Sequence, residues 1–343
     1  MINAPYVTGP MGKRWVDESD PLYQGVYGFG GHDSARELFR NNDIDLILAI
    51  GAALGEMGTG GWNTDILNNK LIHIDSSFES FSRSPMARLH VCGHLDVIFS
   101  RLIESVQEAR KWGREWQGIK IESSKNKLGS FISINNIDEC FSNQTPIKPQ
   151  RLMAFLNEKF DVRTRLYVDT GNAWAWATHY ILGTTGNGTY RVSMGYGTMA
   201  WAIGASIGAA FANPEVPHVC LTGDGSYLMS GQEITVAAQY NLPVIIIVLN
   251  DAALGMIKHG QQLSDAESIG WDLNNINYAD MVKAMGIDGF RVDTPEQLDA
   301  LDMEAILNKK SPTLIDVRID PDEMPPMLSR VKSLQDDGAT GYK

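Results

Sequence analysis

GDGSYLMSGQEITVAAQYNLPVIIIVLNDAALGM, residues Gly223 to Met256, decides the fold of this chain. An apolar run, His218 to Thr222, leads into Gly223-Asp224-Gly225. Ser226 to Tyr240 carries apolar residues at helical spacing, and Val244 to Leu249 is a second apolar run that ends at Asn250-Asp251. Strand, turn, helix and strand in that order predict a βαβ unit and hence a parallel sheet. Asp224 and Asp251 each follow the carboxyl end of a strand, the edge at which open α/β sheets take ligands. They lie 27 residues apart, about what a right-handed crossover with one helix needs to reach the neighbouring strand. Two carboxylates are therefore expected side by side.

Such a pair repels itself unless a cation lies between its members, and hard oxygen ligands suit magnesium, which keeps phosphate oxygens in its shell. Gly223 and Gly225 leave room for a phosphate, and the helix from Ser226 offers unpaired N–H groups to it. The stretch reads as a magnesium-diphosphate clamp. GDG alone would be only a tight turn, since such tripeptides are common; the second carboxylate after the next strand decides for the clamp.

The 343 residues, 43% of them apolar, suffice for two domains with cores of their own. Lys and Arg number 29 against 41 Asp and Glu, a net charge of −12, with no Lys/Arg run. Nucleic acid and anionic membranes are not expected partners. Cys92, Cys140 and Cys220 form no CxxC pair and read as reduced thiols of a cytoplasmic protein. No apolar segment reaches bilayer-spanning length, and the start shows no charged-then-apolar leader.

Outward from the clamp, the chain reads as α/β throughout, two doubly wound parallel-sheet domains with the first truncated at its N-terminus. Residues 1–110 are assigned to that partial first domain. Ala4 to Thr8 is a strand and Gly9 to Gly31 a loop; helix Asp33 to Phe39, strands Asp45 to Ile50 and Leu71 to Ile74, and helix Leu95 to Gln107 follow. Asp75, after the second of these strands, could meet a ribose, but capping the next segment is the commoner role for a strand-end aspartate. Residues 111–147 form a polar linker in which Trp112 and Trp116 are expected to pack onto a domain. Residues 148–330 are the second domain, opened by a helix from Pro149 to Phe160. A strand from Arg165 to Val168 leads into Asp169-Thr170-Gly171-Asn172. Trp174, Trp176 and Tyr180 have core spacing, and His179, a helical turn beyond the loop, reads as structural. Gly195 and Gly197 mark an exposed turn before a helix whose Gly204, Ala205, Gly208 and Ala209 allow another backbone to approach closely. Ile257 to Ser268 is expected to be part of a mobile lid. A helix from Tyr278 to Met285, a strand near Phe290 to Val292, a helix from Pro295 to Leu307 and a strand from Thr313 to Val317 complete the sheet. Residues 331–343 are a tail, frayed from Asp336.

GDGS followed one crossover later by LND resembles the cofactor motif of thiamine diphosphate enzymes, and LGMIKHGQQ (Leu254 to Gln262) is similar to their acetolactate synthase branch. YGFGGHDSA, DLILAIGA and LIHIDSSF resemble the central domain of the same enzymes. The resemblance implies thiamine diphosphate with Mg2+, the metal held by Asp224, Asp251 and the backbone carbonyl of Ala253. It places Asn172 and the backbone of Ala173 on the diphosphate. Gly197 would accept from the aminopyrimidine through its carbonyl, beside Thr198, and Met199 would wedge between the two rings. Gly223, Gly225, Ser226 and Met256 complete the implied cofactor contacts.

Four departures stand out. Asp251 replaces the usual asparagine and adds a negative charge to the metal shell. Gly260 stands where acetolactate synthases have a tryptophan that selects the second keto acid, and Gly204 replaces a proline. Ala53 and Met57 occupy the places of flavin-contacting arginines, which speaks against FAD. The family's activating glutamate lies on a separate pyrimidine-binding domain, so no catalytic residue is assigned in this chain. The resemblance thus implies the diphosphate-binding portion of an enzyme that decarboxylates or carboligates a 2-keto acid. It would work as a homo-oligomer or with a partner chain that carries the pyrimidine-binding domain. Another thiamine diphosphate decarboxylase or acyl-transferring lyase shares the same cofactor residues. A non-catalytic binding module would be expected to lose the clamp, and a nicotinamide dehydrogenase is disfavoured because no GxGxxG follows a strand.

Overall fold

The structure is a computed structural model that describes residues 4–40, 44–114, 124–183 and 189–327. Trp116 and the expected tail lie outside them. In the amino-terminal part, β1 (Tyr6–Thr8) pairs in parallel with β2 (Tyr23–Val26). Then follow α1 (Asp33–Arg40), β3 (Ile47–Ile50), α2 (Glu56–Thr59), β4 (Leu71–Asp75), β5 (Leu89–Cys92) and α3 (Leu95–Lys111). The last three strands form a parallel sheet of order β3-β4-β5. β2 falls inside the stretch expected to be loop. Its sequence, YQGV, has no alternation to read, yet all four residues are buried, so tertiary context overrides the local signal. Leu46, Leu48 and Ile50 remain exposed on one face of the small sheet.

The second part comprises α4 (Pro149–Lys159), β6 (Arg165–Val168), α5 (Asn172–Tyr180), β7 (Tyr190–Val192), α6 (Trp201–Ala212), β8 (His218–Gly223), α7 (Asp224–Ser230), α8 (Ile234–Gln239), β9 (Val244–Asn250), α9 (Gly255–Leu263), α10 (Tyr278–Ala284), β10 (Asp288–Val292), α11 (Pro295–Asp299), α12 (Met303–Leu307) and β11 (Thr313–Arg318). Its six strands are all parallel, in the order β10-β11-β9-β8-β6-β7. The pleat divides β9 between two cores. Ile245, Ile247 and Leu249 join Leu152, Trp176 and Val317 on one face, while Val244, Ile246 and Val248 join Ile203, Ile234 and Tyr278 on the other. Helices therefore cover both faces, which is why the strand is apolar without alternation. Each of these aliphatic side chains contributes roughly 1.5–3 kcal/mol by leaving water.

One long helix was expected from Ser226 to Tyr240; instead α7 stops at Ser230, a 3₁₀ turn spans Gly231–Glu233, and α8 resumes. The Tyr227 ring lies across the break, 2.5 Å from where a Cβ on Gly231 would sit. The helix expected from Pro295 to Leu307 is likewise two, because Asp302 accepts from Ala305 N (2.9 Å) and starts a new one.

The linker from 124 to 147 is packed rather than free. Ser34 and Ser133 exchange backbone-to-hydroxyl hydrogen bonds, and Tyr180 Oη donates to the Asn135 carbonyl at 2.8 Å. Trp112, expected to pack, is instead 81% exposed at the end of α3. The two parts meet where the GFGGH loop lies on α5. His32 and His179 stack at 4.6 Å. His32 Nδ1 accepts from Val26 N and its Nε2–H donates to the His179 carbonyl, while His179 Nε2 accepts from Asn135 N and its Nδ1–H serves the Gly30 and Gly31 carbonyls. Burial lowers the pKa of both rings and keeps them neutral. His179 is structural, as its place in the sequence suggested.

Gly30 has φ +67, and a Cβ there would stand 2.9 Å from Thr178 Cβ. Gly30→Ala is therefore expected to destabilise the protein by about 2 kcal/mol in chemical denaturation. A loss below about 0.5 kcal/mol would show that the loop is not docked this closely.

Candidate functional site

β6 and β8 are neighbours, and the chain runs from β6 outward to β7 but from β8 the opposite way to β9. This is the switch point of the sheet, where two successive loops diverge and leave a crevice. Asp169 and Asn172 follow β6, Asp224 follows β8 and Asp251 follows β9, so four polar groups from three loops share one edge.

Asp224 opens α7 and is only 1% exposed. Its Oδ1 accepts from Gly225 N at 2.7 Å, whereas Oδ2 is buried with no partner. Burial raises its pKa, partly opposed by the N–H groups of Gly225, Ala252 and Ala253. Burial and then the charge of Asp224 raise that of Asp251. Backbone N–H groups and the charges of Arg318 and Lys258 offset the burial and mutual repulsion of the two carboxylates only in part, the condition a cation relieves. Ala252 has φ +54. A short antiparallel bridge between Ala253 and Asp272 engages the groups on either side of Ala253, with Leu254 N donating to Trp271 O and Leu273 N to Ala252 O. Among the described residues no three His, Cys, Asp or Glu side chains gather as a metal cluster. A cation here would rely on two carboxylates and backbone or ligand oxygens, a donor set suited to magnesium.

Asn172 is the first residue of α5, after Gly171 at φ +114. Its Nδ2 donates to His259 Nδ1 at 3.1 Å, and its Oδ1 is buried without a partner. A Cβ on Gly255 would lie 2.5 Å from Asn172 Nδ2 and 2.6 Å from Asp251 Oδ2, so amide and carboxylate converge over that glycine. Met199 Cε lies 3.5 Å from the Cβ position of Gly225, and Met199 is 38% exposed. Nothing stands within 4 Å of a Cβ at Gly197 or Gly223, which leaves open space on that side. Asn172, Met199, Asp224, Gly225 and Asp251 are thus brought together. Ser226 is buried beside Asp224, and Thr198 is exposed next to Met199. The side chain of Ala173 turns instead into the larger core, which leaves its backbone to serve a ligand, and the partly buried Met256 packs against the same core.

Two supporting groups were not singled out in the sequence. Asp169, fully buried, accepts from Thr170 N, Ala200 N (3.0 Å), Ala202 N (3.4 Å) and Thr222 Oγ1 (2.8 Å). It holds the turn after Met199, where Ala200 sits at φ +65. A carboxylate directly after a buried strand, beside the clamp strand, was the available signal. Asn250, the residue before Asp251, donates to Asp316 Oδ1 (2.8 Å) and accepts from Arg318 (2.6 Å), and Arg291 pairs with Asp316 at 3.0 Å. This network fixes the strand end from which Asp251 projects.

The expected lid is anchored at its start. Lys258 Nζ donates to the Pro321 carbonyl (2.9 Å) and Asp322 (2.7 Å), and lies over the Trp271 ring. In the first part, Asp75 Oδ1 accepts from Ser77 N at 2.8 Å in an Asx turn, and Ser77, not Asp75, caps the 3₁₀ turn that follows. Met57 packs on the larger core while its carbonyl accepts from Phe29 N. Cys92 is exposed, and Cys140 and Cys220 are buried free thiols. No helix among the described residues is long and apolar enough to cross a membrane.

Two family models match the chain: the thiamine pyrophosphate enzyme C-terminal TPP binding domain over residues 169–317, and the thiamine pyrophosphate enzyme central domain over residues 1–102. A probable acetolactate synthase large subunit of Methanococcus aeolicus is 28% identical over 94% of this chain and 54% of that protein. The acetolactate synthase large subunit of Cyanidium caldarium is 26% identical over 92% and 53%. The isozyme 2 large subunit of Escherichia coli (strain K12) is 26% identical over 89% and 53%. The chain spans about half the length of these relatives.

Both carboxyl groups bind protons more tightly when folded than when unfolded. Their contribution favours folding at low pH and is lost as pH rises from about 4 to about 7. Magnesium at millimolar concentration is therefore expected to raise the melting temperature more at about pH 8 than at about pH 5.5, by about 2 °C or more. Equal shifts at both pH values, or a difference that persists in Asp251→Asn, would remove the pair as its cause.

Proposed function

The chain belongs to the thiamine pyrophosphate enzyme family through its central and cofactor-binding domains, and from that premise we propose that it is the diphosphate- and magnesium-binding portion of an enzyme acting on a 2-keto acid, as acetolactate synthases do. The observation that carries this reading is the buried, unpartnered Asp224 Oδ2 opposite Asp251. The residues fit the cofactor. Asp224, Asp251 and the Ala253 carbonyl would hold Mg2+; the amino end of α7 at Gly225 and Ser226, with Asn172 and the Ala173 backbone, would hold the diphosphate. Gly197, Thr198 and Met199 would take the aminopyrimidine. Bound there, the cofactor supplies a carbanion at its thiazolium ring and an electron sink. The chain's residues supply position and charge balance. Asp169 holds the Met199 turn, and the Asn250 network holds Asp251. Proton control would come from a glutamate on a pyrimidine-binding domain outside these 343 residues, in a cytoplasmic homodimer or a two-chain enzyme.

Gly260, with open space where a Cβ would stand, favours a second reading within the same chemistry. Without the bulky side chain that selects a second keto acid, the enzyme would be a decarboxylase or acyl-transferring lyase with another acceptor. Turnover of pyruvate with and without an acceptor, in the presence of the pyrimidine-binding partner, separates the two.

Thiamine diphosphate with magnesium is expected to raise the melting temperature of the chain, while NAD does not. Asp224→Asn should weaken the cofactor about 100-fold, and Asp251→Asn should tighten it several-fold by relieving repulsion. Unchanged binding in Asp251→Ala would remove Asp251 as a ligand, and rapid 2-keto acid turnover by the chain with no partner added would contradict the proposed division of labour.

A further inference from the structure

We infer that His259 is a positioning residue for the diphosphate end of the site, acting through Asn172, whose amide it locks in one orientation. The inference deepens the proposed function and rests on it for the identity of the ligand. The geometry starts at Pro321, whose carbonyl can only accept hydrogen bonds. It takes two donors, Lys258 Nζ at 2.9 Å and His259 Nε2 at 3.2 Å. The carbonyl is itself well fixed. Asp320 N donates to the Ile147 carbonyl at 2.9 Å, and Lys148 bridges Asp320 and Glu323 at 2.9 and 2.7 Å. Nε2 must therefore carry the hydrogen of the imidazole. His259 is 1% exposed, and burial lowers its pKa, so the ring is neutral and Nδ1 is a bare lone pair.

Only a donor can face that lone pair. The Asn172 side chain lies 3.1 Å away, so its NH2 end must point to His259 and its Oδ1 must be the end left buried without a partner. Without His259 the amide could turn over at little steric cost, because its two ends are nearly the same size. With His259 in place, a ligand next to Asp251 meets a donor and an acceptor in fixed order: the second Nδ2 hydrogen and the Oδ1 lone pairs. The glycine beneath is part of the device, since a Cβ at position 255 would displace both the Nδ2 and the Asp251 carboxylate. His259 belongs to the LGMIKHGQQ stretch, and the sequence alone gave it no role.

Two measurements test this. Long-range 1H–15N spectra of the ligand-free protein should show His259 as the Nε2–H tautomer; the Nδ1–H tautomer would overturn the inference whatever the chain binds. Calorimetric titration with thiamine diphosphate and magnesium should show His259→Ala about tenfold weaker than the parent. His259→Gln can accept from Asn172 and donate to Pro321, and should remain within about threefold. In an Asn172→Ala background the same His259→Ala change should cost less than about twofold, because its target is gone. Equal losses in both backgrounds, or no loss in either, would overturn the assignment. A parent chain that binds no thiamine diphosphate would sink the proposed function instead, with the tautomer still deciding this inference.

Discussion

Two carboxylates held side by side at the mouth of a parallel sheet are the constraint from which the rest of the second domain follows. Asp224 and Asp251 are withdrawn from water and left to repel one another, and a fold tolerates that only where the surrounding backbone is rigidly set. Rigidity comes from below and from the sides. The two-faced apolar β8 and β9 fix the strand ends, Asn250 is tied to β11, and the backbone after β9 passes through positive φ at Ala252 before the isolated bridge between Ala253 and Asp272 holds it. The strain and repulsion are concentrated where a cation and an anionic ligand would relieve both.

The same edge shows how burial and function share residues. Asp169 is as buried as any core side chain, yet two of its bonds, from Ala200 N and Ala202 N, hold the turn that presents Met199. His259 and Lys258 both end on the Pro321 carbonyl, so the segment after β11 takes part in shaping a crevice made by loops far earlier in the chain. The first domain contributes through α5, whose carboxyl end is caught between the His32 ring and the linker.

What could be read from the residues alone was whatever had a period or a local motif. β9 carries an uninterrupted apolar run and β6, β8 and β11 shorter ones, as doubly covered parallel strands do, and the GDG and LND pair announces its edge through spacing. β2 and β7 are three or four residues long and owe their pairing to neighbours distant in sequence, so no window could reveal them. The break at Gly231 was invisible for a related reason: a glycine within a helical pattern is ordinary until the Tyr227 ring is seen to occupy its Cβ position. Of the site, the charged members were legible because charge after an apolar strand is conspicuous. Asp169 carried that same signal without being singled out, whereas Asn250 and His259 had none, since they act through hydrogen bonds to Asp316, Arg318 and Asn172, 66, 68 and 87 residues away.

The stack of His32 on His179 has a bearing on how the molecule comes into being. The bond from the His32 ring to the His179 carbonyl closes a loop of 147 residues. During synthesis the first domain emerges with that imidazole and the neighbouring Phe29 ring uncovered, and they stay so until α5 has been made and has folded. The small sheet has an apolar cluster of its own around Tyr27, Ala35, Ile47 and Leu71, so what waits for α5 is the docking of the GFGGH loop. Joining of the two halves is thereby tied to the helix that also begins the ligand site.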